Sequence, residues 1–215
     1  MRIGVFGTGM VGDALSKALS EHGHEVTVGA RSADSDSLQR FADEGLLTGS
    51  FADAAITSEL VFNATNGNHS AEAVASAAAE LEGKTLIDVS NRLDHARGMA
   101  AAALASNENS VAGELQAAAP GARVVKSLNT MNCSVMVDPS LVPGDHVVFL
   151  SGDSAEAKSE TSALLTEFGW RDGQIVDLGG LETATGPEML MQLWLDVMVS
   201  RGGAGAGPFN FAINS

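Results

Sequence analysis

Residues 7–12 read GTGMVG, a G-x-G-x-x-G turn set between two patterns that confine it tightly. Before it stands the apolar run RIGVF, residues 2–6. After it, from Val11 to Leu19, apolar and small residues recur at helical spacing until the turn EHGHE, and the β-branched run VTV follows. The first thirty residues therefore read strand, glycine turn, helix, strand: one βαβ unit. In that context each glycine has a task. Gly7 permits the tight turn, Gly9 lets backbone approach a pyrophosphate with no Cβ in the way, and Gly12 lets the helix pack close to the strand. The amide groups and the helix dipole then offer positive potential to the pyrophosphate.

About twenty residues past the turn, many dinucleotide-binding chains place an acidic residue at the end of the second strand, where it accepts hydrogen bonds from ribose hydroxyls. Here the segment is VTVGARS, residues 26–32, and the position holds Arg31 and Ser32. A carboxylate would repel a 2′-phosphate. Arg31 offers a fixed positive fork to its oxygens and Ser32 a hydroxyl donor, with Gly29 and Ala30 leaving room. The expected cofactor is NADP(H), in preference to NAD(H).

The alternation continues along the chain. SDSLQRFADEG reads as a helix with Ser35 or Asp36 at its N-cap and Gly45 past its end, and LVFNA as a buried strand. SAEAVASAAAELEG, TLIDVS, VAGELQAAAPG and ARVVKSL read as helix, strand, helix, strand. HVVFLSG, a helix near 154–168 and QIVDLG extend the pattern. Such a chain folds as an α/β, Rossmann-like, doubly wound and mostly parallel sheet, with a small C-terminal helical part. The expected division is a dinucleotide-binding domain over 1–150 and a C-terminal extension over 151–215, packed on it. The last helix, about 181–201, is apolar on nearly every side from Met189 to Val199 except for Gln192 and Asp196. That pattern suits the centre of a small lobe or a subunit interface, and a homodimer through this helix is the expectation.

Composition narrows the partners. The formal net charge is −15 over 215 residues. Its field repels nucleic acid and anionic membrane surfaces. Cys133 is the single cysteine, so no intrachain disulfide forms, which suits a reducing interior. The N-terminus lacks the pattern of a signal peptide, and MLMQLWLDVMVS is too short to span a bilayer. A soluble, cytoplasmic protein with a small-molecule redox acceptor is expected.

The chain resembles the NADPH-dependent reductases of the deazaflavin coenzyme F420. The likeness rests on residues 2–32, on FNAT, LIDVSN and KSLNTMN with the residues around it, and on LLTEFGW and EML…LWL. It is similar, too, to the cytosolic NADPH-binding domain of six-transmembrane metalloreductases. The resemblance implies that Thr8, Arg31 and Ser32 surround the 2′-phosphate and that the backbone of Gly9, Met10, Val11 and Gly12 covers the pyrophosphate. It implies that Asn63, Ala64 and Thr65 lie beside the nicotinamide half, with Ser90 and Asn91 on the same side. Asn129, Thr130 and Met131 would line the acceptor cavity. The pattern is broken at Asn66 and Arg92, where the family commonly has proline.

No Ser-His-Asp, Cys-His or paired-carboxylate set stands out, and a metal site is not expected. His69 and His95 follow strand ends near the acceptor side, and either is placed to reach substrate. Cys133 reads as a small packing residue. With no tyrosine in the chain, a tyrosine-dependent dehydrogenase is excluded. Hydride transfer between nicotinamide and a flavin-like ring needs positioning more than acid–base groups, so no catalytic side chain is named. The leading expectation is an oxidoreductase moving a hydride between NADP(H) and a flavin-like acceptor, F420 first. The alternatives are an NADPH-dependent flavin, ferric or quinone reductase and a non-catalytic NADP(H)-binding redox sensor.

Overall fold

Alternate residues of the central strands divide two hydrophobic cores between the faces of one sheet. Leu60 and Phe62, Ile87 and Val125 join one core, whereas Val61, Leu86 and Val124 join the other. A strand buried on both faces must be apolar at successive positions, as these are, and the period of two sends neighbours to opposite sides. In the computed structural model, which describes residues 1–94, 96, 98, 103 and 109–213, eight strands form a sheet in the order β3-β2-β1-β4-β5-β6-β7-β8.

The strands are β1 (Arg2–Phe6), β2 (Glu25–Ala30), β3 (Leu47–Ser50), β4 (Leu60–Asn63), β5 (Thr85–Asp88), β6 (Arg123–Ser127), β7 (Val148–Ser151) and β8 (Ile175–Asp177). All pairs are parallel except β6 with β7. The helices are α1 (Met10–Glu21), α2 (Gln39–Asp43), α3 (Phe51–Thr57), α4 (Ser70–Ala75), α5 (Val111–Ala118), α6 (Cys133–Val137), α7 (Ala155–Glu167) and α8 (Thr185–Ser200). Leu15 and Leu19 of α1 and Leu164 and Leu165 of α7 fill the first core. Phe51 and Ala54 of α3, Ala73 of α4 and Leu115 of α5 fill the second. Strand order reverses between β1 and β4, which opens a crevice at their carboxyl ends. The doubly wound α/β architecture is as the sequence predicts.

β7 straddles position 150 and, with β8, continues the same sheet, so the sheet runs across the expected boundary between 1–150 and 151–215. Beyond it, α8 buries Met191, Trp194 and Leu195 against Leu93, Ala103, Phe209 and Phe211. Trp194 stacks on Phe209, with ring centroids 5.2 Å apart. The tail is pinned to the sheet: Val147 N donates to Phe211 O, and Asn210 Nδ2 donates to Val147 O. Met189, Leu193 and Val199 of α8 stay exposed. Among the described residues no helix is long and apolar enough to cross a membrane.

Candidate cofactor-binding site

The glycine turn is built by contacts that admit no side chain. Gly7 has φ +113°, and an added Cβ would lie 2.7 Å from Ala64 O. A Cβ on Gly12 would lie 2.1 Å from Gly7 O, so the helix meets the turn backbone to backbone. Gly9 differs. A Cβ there would meet nothing within 4 Å, which leaves open space on the cleft side of the turn. Gly9 is the N-cap of α1 and gives it no side-chain cap, while its carbonyl accepts the first helical bond from Asp13 N at 2.9 Å. The first amides of a twelve-residue helix thus stand free beside an empty lip, an arrangement that fits a pyrophosphate.

Beside this turn lies a cleft of about 410 Å³, lined by Gly7, Thr8, Gly9, Arg31, Phe51, Ala64, Thr65, Asn66, His69, Glu72, Ala73 and Ser76. Arg31 enters it from the end of β2. Its guanidinium makes no hydrogen bond or ion pair among the described residues, although 27 acidic side chains outnumber 12 lysines and arginines in the chain. Other cations are paired: Arg2 with Glu59, Arg92 with Glu114, Arg123 with Glu156, Lys158 with Asp177. Ser32 is exposed next to Arg31, and its Oγ accepts from Asp34 N. Gly29 serves a purpose other than making room for a ligand. A Cβ on it would lie 3.0 Å from Ala54 Cβ, so this glycine lets α3 cross β2 closely.

The β4 end is held by a buried polar chain. Asn63, fully buried, donates through Nδ2 to Asp88 Oδ1 at 2.8 Å and accepts from Thr65 Oγ1 at 2.6 Å. Asp88 also accepts from Ser90 N at 3.1 Å. Lys126 Nζ, with no exposed side-chain surface, lies 2.8 Å from Asp88 Oδ2 and 2.9 Å from Glu188 Oε1, and donates to Ser90 O. Glu188 completes the chain by accepting from Val111 N and Ala112 N, the first amides of α5. Two carboxylates, one ammonium and a helix N-terminus balance one another, so no charge is left alone away from water. Lys126 therefore belongs to the interior.

Asn91 and Asn129 bond reciprocally. Asn91 Nδ2 donates to Asn129 O at 2.8 Å and Asn129 Nδ2 to Asn91 Oδ1 at 3.0 Å. Asn129 Nδ2 also donates to Pro187 O. The turn that places Asn129 needs Leu128 at φ +60°, the one non-glycine residue with positive φ among those described. That is a left-handed conformation uncommon for a bulky side chain and held by its surroundings. Asn129, Thr130 and Met131 are all buried and do not line the cleft.

The structure thus brings Gly7, Thr8, Gly9, Arg31, Ala64 and Thr65 to one cleft and sets Ser90, Asn91, Asn129, Thr130 and Met131 in the packed strand ends beyond it. Met10, at the start of α1, is the most exposed large apolar residue among those described. His69 shares the cleft with Arg31, while His95 lies outside the described residues. Phe51, Glu72, Ala73 and Ser76 are cleft residues that sequence reasoning missed. Charged residues inside otherwise apolar strands, Asp88 in TLIDVS and Lys126 in ARVVKSL, were the available signal for the buried network. Burial pushes the half-buried Cys133 thiol up, which fits a packing residue and not a nucleophile. No metal-binding cluster occurs among the described residues.

Residues 2–92 match the family model for "NADP oxidoreductase coenzyme F420-dependent". A protein of Arthrobacter sp. FB24, assigned as an F420-dependent NADP reductase, is 41% identical and superposes with a TM-score of 0.90 over 100% of both chains. The rat (Rattus norvegicus) metalloreductase STEAP3 is 28% identical over 187 residues, 85% of this chain, which spans only 35% of that protein's length. An imine reductase from Myxococcus stipitatus in complex with NADP+ is 19% identical, with a TM-score of 0.67 over 93% of this chain and 62% of that one, and shares the fold. The full-length match at 41% identity carries the assignment: this chain belongs to the coenzyme F420-dependent NADP oxidoreductase family and is an NADP-dependent oxidoreductase.

Proposed function

We propose that the protein moves a hydride between NADP(H) and a flavin-like acceptor, with coenzyme F420 the leading candidate. The observation that carries the nucleotide half is Arg31: an unpaired guanidinium in the cleft beside a glycine turn that leaves its helix amides free. In this reading Thr8, Arg31 and Ser32 hold the 2′-phosphate, and the backbone of Gly9, Met10, Val11 and Gly12 holds the pyrophosphate. Ala64 and Thr65 share the cleft with Arg31, so they belong nearer the adenosine half than the nicotinamide. Bound NADPH supplies the hydride. The chain orients it and excludes water, and the absence of tyrosine suits a transfer that needs no phenol donor.

Asn63, Ser90 and Asn91 fix the strand ends on the nicotinamide side. Asn129, Thr130 and Met131 form a floor beneath the acceptor and not its open walls, because their side chains are buried. The exposed apolar residues of α8 seat a second copy of the chain, giving a homodimer. The acceptor is tested by NADPH oxidation with the purified protein against F420, flavin mononucleotide, flavin adenine dinucleotide, ferric chelates and quinones. Turnover is expected with F420 foremost; turnover with free flavins and none with F420 overturns the choice of acceptor.

A further inference from the structure

We propose that His69 is a second cationic determinant for the 2′-phosphate, so that preference for NADP+ over NAD+ strengthens as its imidazole protonates. The proposal rests on the reading of Arg31 given above. His69 and Arg31 line the same cleft of about 410 Å³ from different elements, Arg31 from the end of β2 and His69 from the residue preceding α4.

His69 has no structural duty to occupy it. It stands at the N-cap of α4 without a side-chain capping bond, it is exposed, and its ring makes no hydrogen bond or ion pair among the described residues. The structural histidines of this molecule look different. Buried His146 has Nε2 at 3.0 Å from Pro139 O and Nδ1 at 3.0 Å from Asn210 Nδ2. His24 Nε2 lies 2.7 Å from Glu167 Oε2.

The charged groups that face His69 are few. Glu72, one turn along α4, and Arg31 are the other ionisable side chains lining the cleft among the described residues. Glu72 opposes a phosphate, whereas Arg31 and a charged His69 favour one. A ligand carrying the 2′-phosphate therefore gains from a charged His69, and one lacking it does not. Imidazoles change charge within the physiological range, so the effect falls where it alters nucleotide choice.

The test is the ratio of Kd for NAD+ to Kd for NADP+ between about pH 5.5 and about pH 8, the ordinary imidazole range. It is measured by calorimetry in wild type, His69→Gln and His69→Lys; oxidised nucleotides are used because reduced nicotinamide decays in acid. The 2′-phosphate itself titrates near pH 6 and favours binding as pH rises, but it does so equally in every variant. Relative to His69→Gln, wild type should lose roughly tenfold of its NADP+ preference from the acid to the alkaline end, the worth of about one charged contact. His69→Lys should keep the acid-end preference throughout. If wild type and His69→Gln prefer NADP+ equally at every pH, His69 has no such role while Arg31 keeps its own. If wild type shows no preference at any pH, both readings fall.

Discussion

At Arg31, in the function proposed above, the chemistry of one side chain selects a nucleotide. The guanidinium has no protein partner among the described residues and is open to a phosphate, and Glu72 of α4 is the carboxylate that shares the cleft with it. Arg31→Ala should weaken NADPH binding by roughly tenfold to a hundredfold, the range for a charge-assisted contact, and leave NADH affinity unchanged in fluorescence titrations. Equal losses for both nucleotides would place the guanidinium elsewhere. Gly12→Ala is the complementary case. Its Cβ falls 2.1 Å from a backbone oxygen, so the turn must open, and the variant should lose nucleotide binding together with about 1–3 kcal/mol of stability in denaturant titration. Both residues were legible in the sequence because a motif fixes their place. Gly29 was misread as room for a ligand, since nothing in VTVGARS reveals the helix that crosses it.

Among the elements, legibility followed length. The alternation of strand and helix was read along most of the chain, but SAEAVASAAAELEG is α-helical only over Ser70–Ala75, and β3 with α3, and α6, went unread, because four- to seven-residue pieces are too short to show a period. α3 nonetheless brings Phe51 to the cleft, and its start is fixed by a capping box in which Ser50 Oγ accepts from Asp53 N and Asp53 Oδ2 accepts from Ser50 N. Hydrogen bonds from the Ser50 hydroxyl, then the Ser50 amide, hold the Asp53 carboxyl below its usual range. A carboxylate depressed in the folded state stabilises above its unfolded value and loses that contribution as pH falls through the folded one. The stability penalty of Asp53→Asn, read by thermal unfolding, should therefore be full at neutral pH and vanish as pH falls through the folded value.

The strand-end network was the larger omission. Sequence shows Asp88 and Lys126 as charges within apolar strands, but only the sheet order sets β5 beside β6, and only the return of α8 brings Glu188 to them. Removing the ammonium leaves two buried carboxylates facing each other. Lys126→Met should cost about 3–5 kcal/mol in urea unfolding, a value near zero being incompatible with a charge-balanced interior.

Across the whole molecule, one sheet of eight strands carries the Arg31 cleft on one side of its centre and the asparagine pair and α8 on the other. The parallel half was legible because βαβ units leave a strong alternating signature. The antiparallel β7 was not, since direction is set by where the chain can return and not by its own residues. α8 had two readings, and it serves the first of them: Met191, Trp194 and Leu195 centre a small cluster. Its remaining apolar residues are the basis of the proposed dimer. Leu193→Asp, at a half-exposed site, should leave the fold intact and convert a dimer to a monomer in analytical ultracentrifugation; a wild type already monomeric would refute the interface.

Isotope transfer tests most directly the proposal that the protein delivers a hydride from NADPH to a deazaflavin ring. NADPH deuterated at nicotinamide C4, prepared as each stereoisomer, is reacted with F420 and the purified protein, and the reduced product is weighed by mass spectrometry. The account predicts deuterium on carbon 5 of the deazaflavin from one stereoisomer and not the other, with NADH a poor donor. Reduced F420 that carries hydrogen from solvent, or no reduction at all, would contradict it.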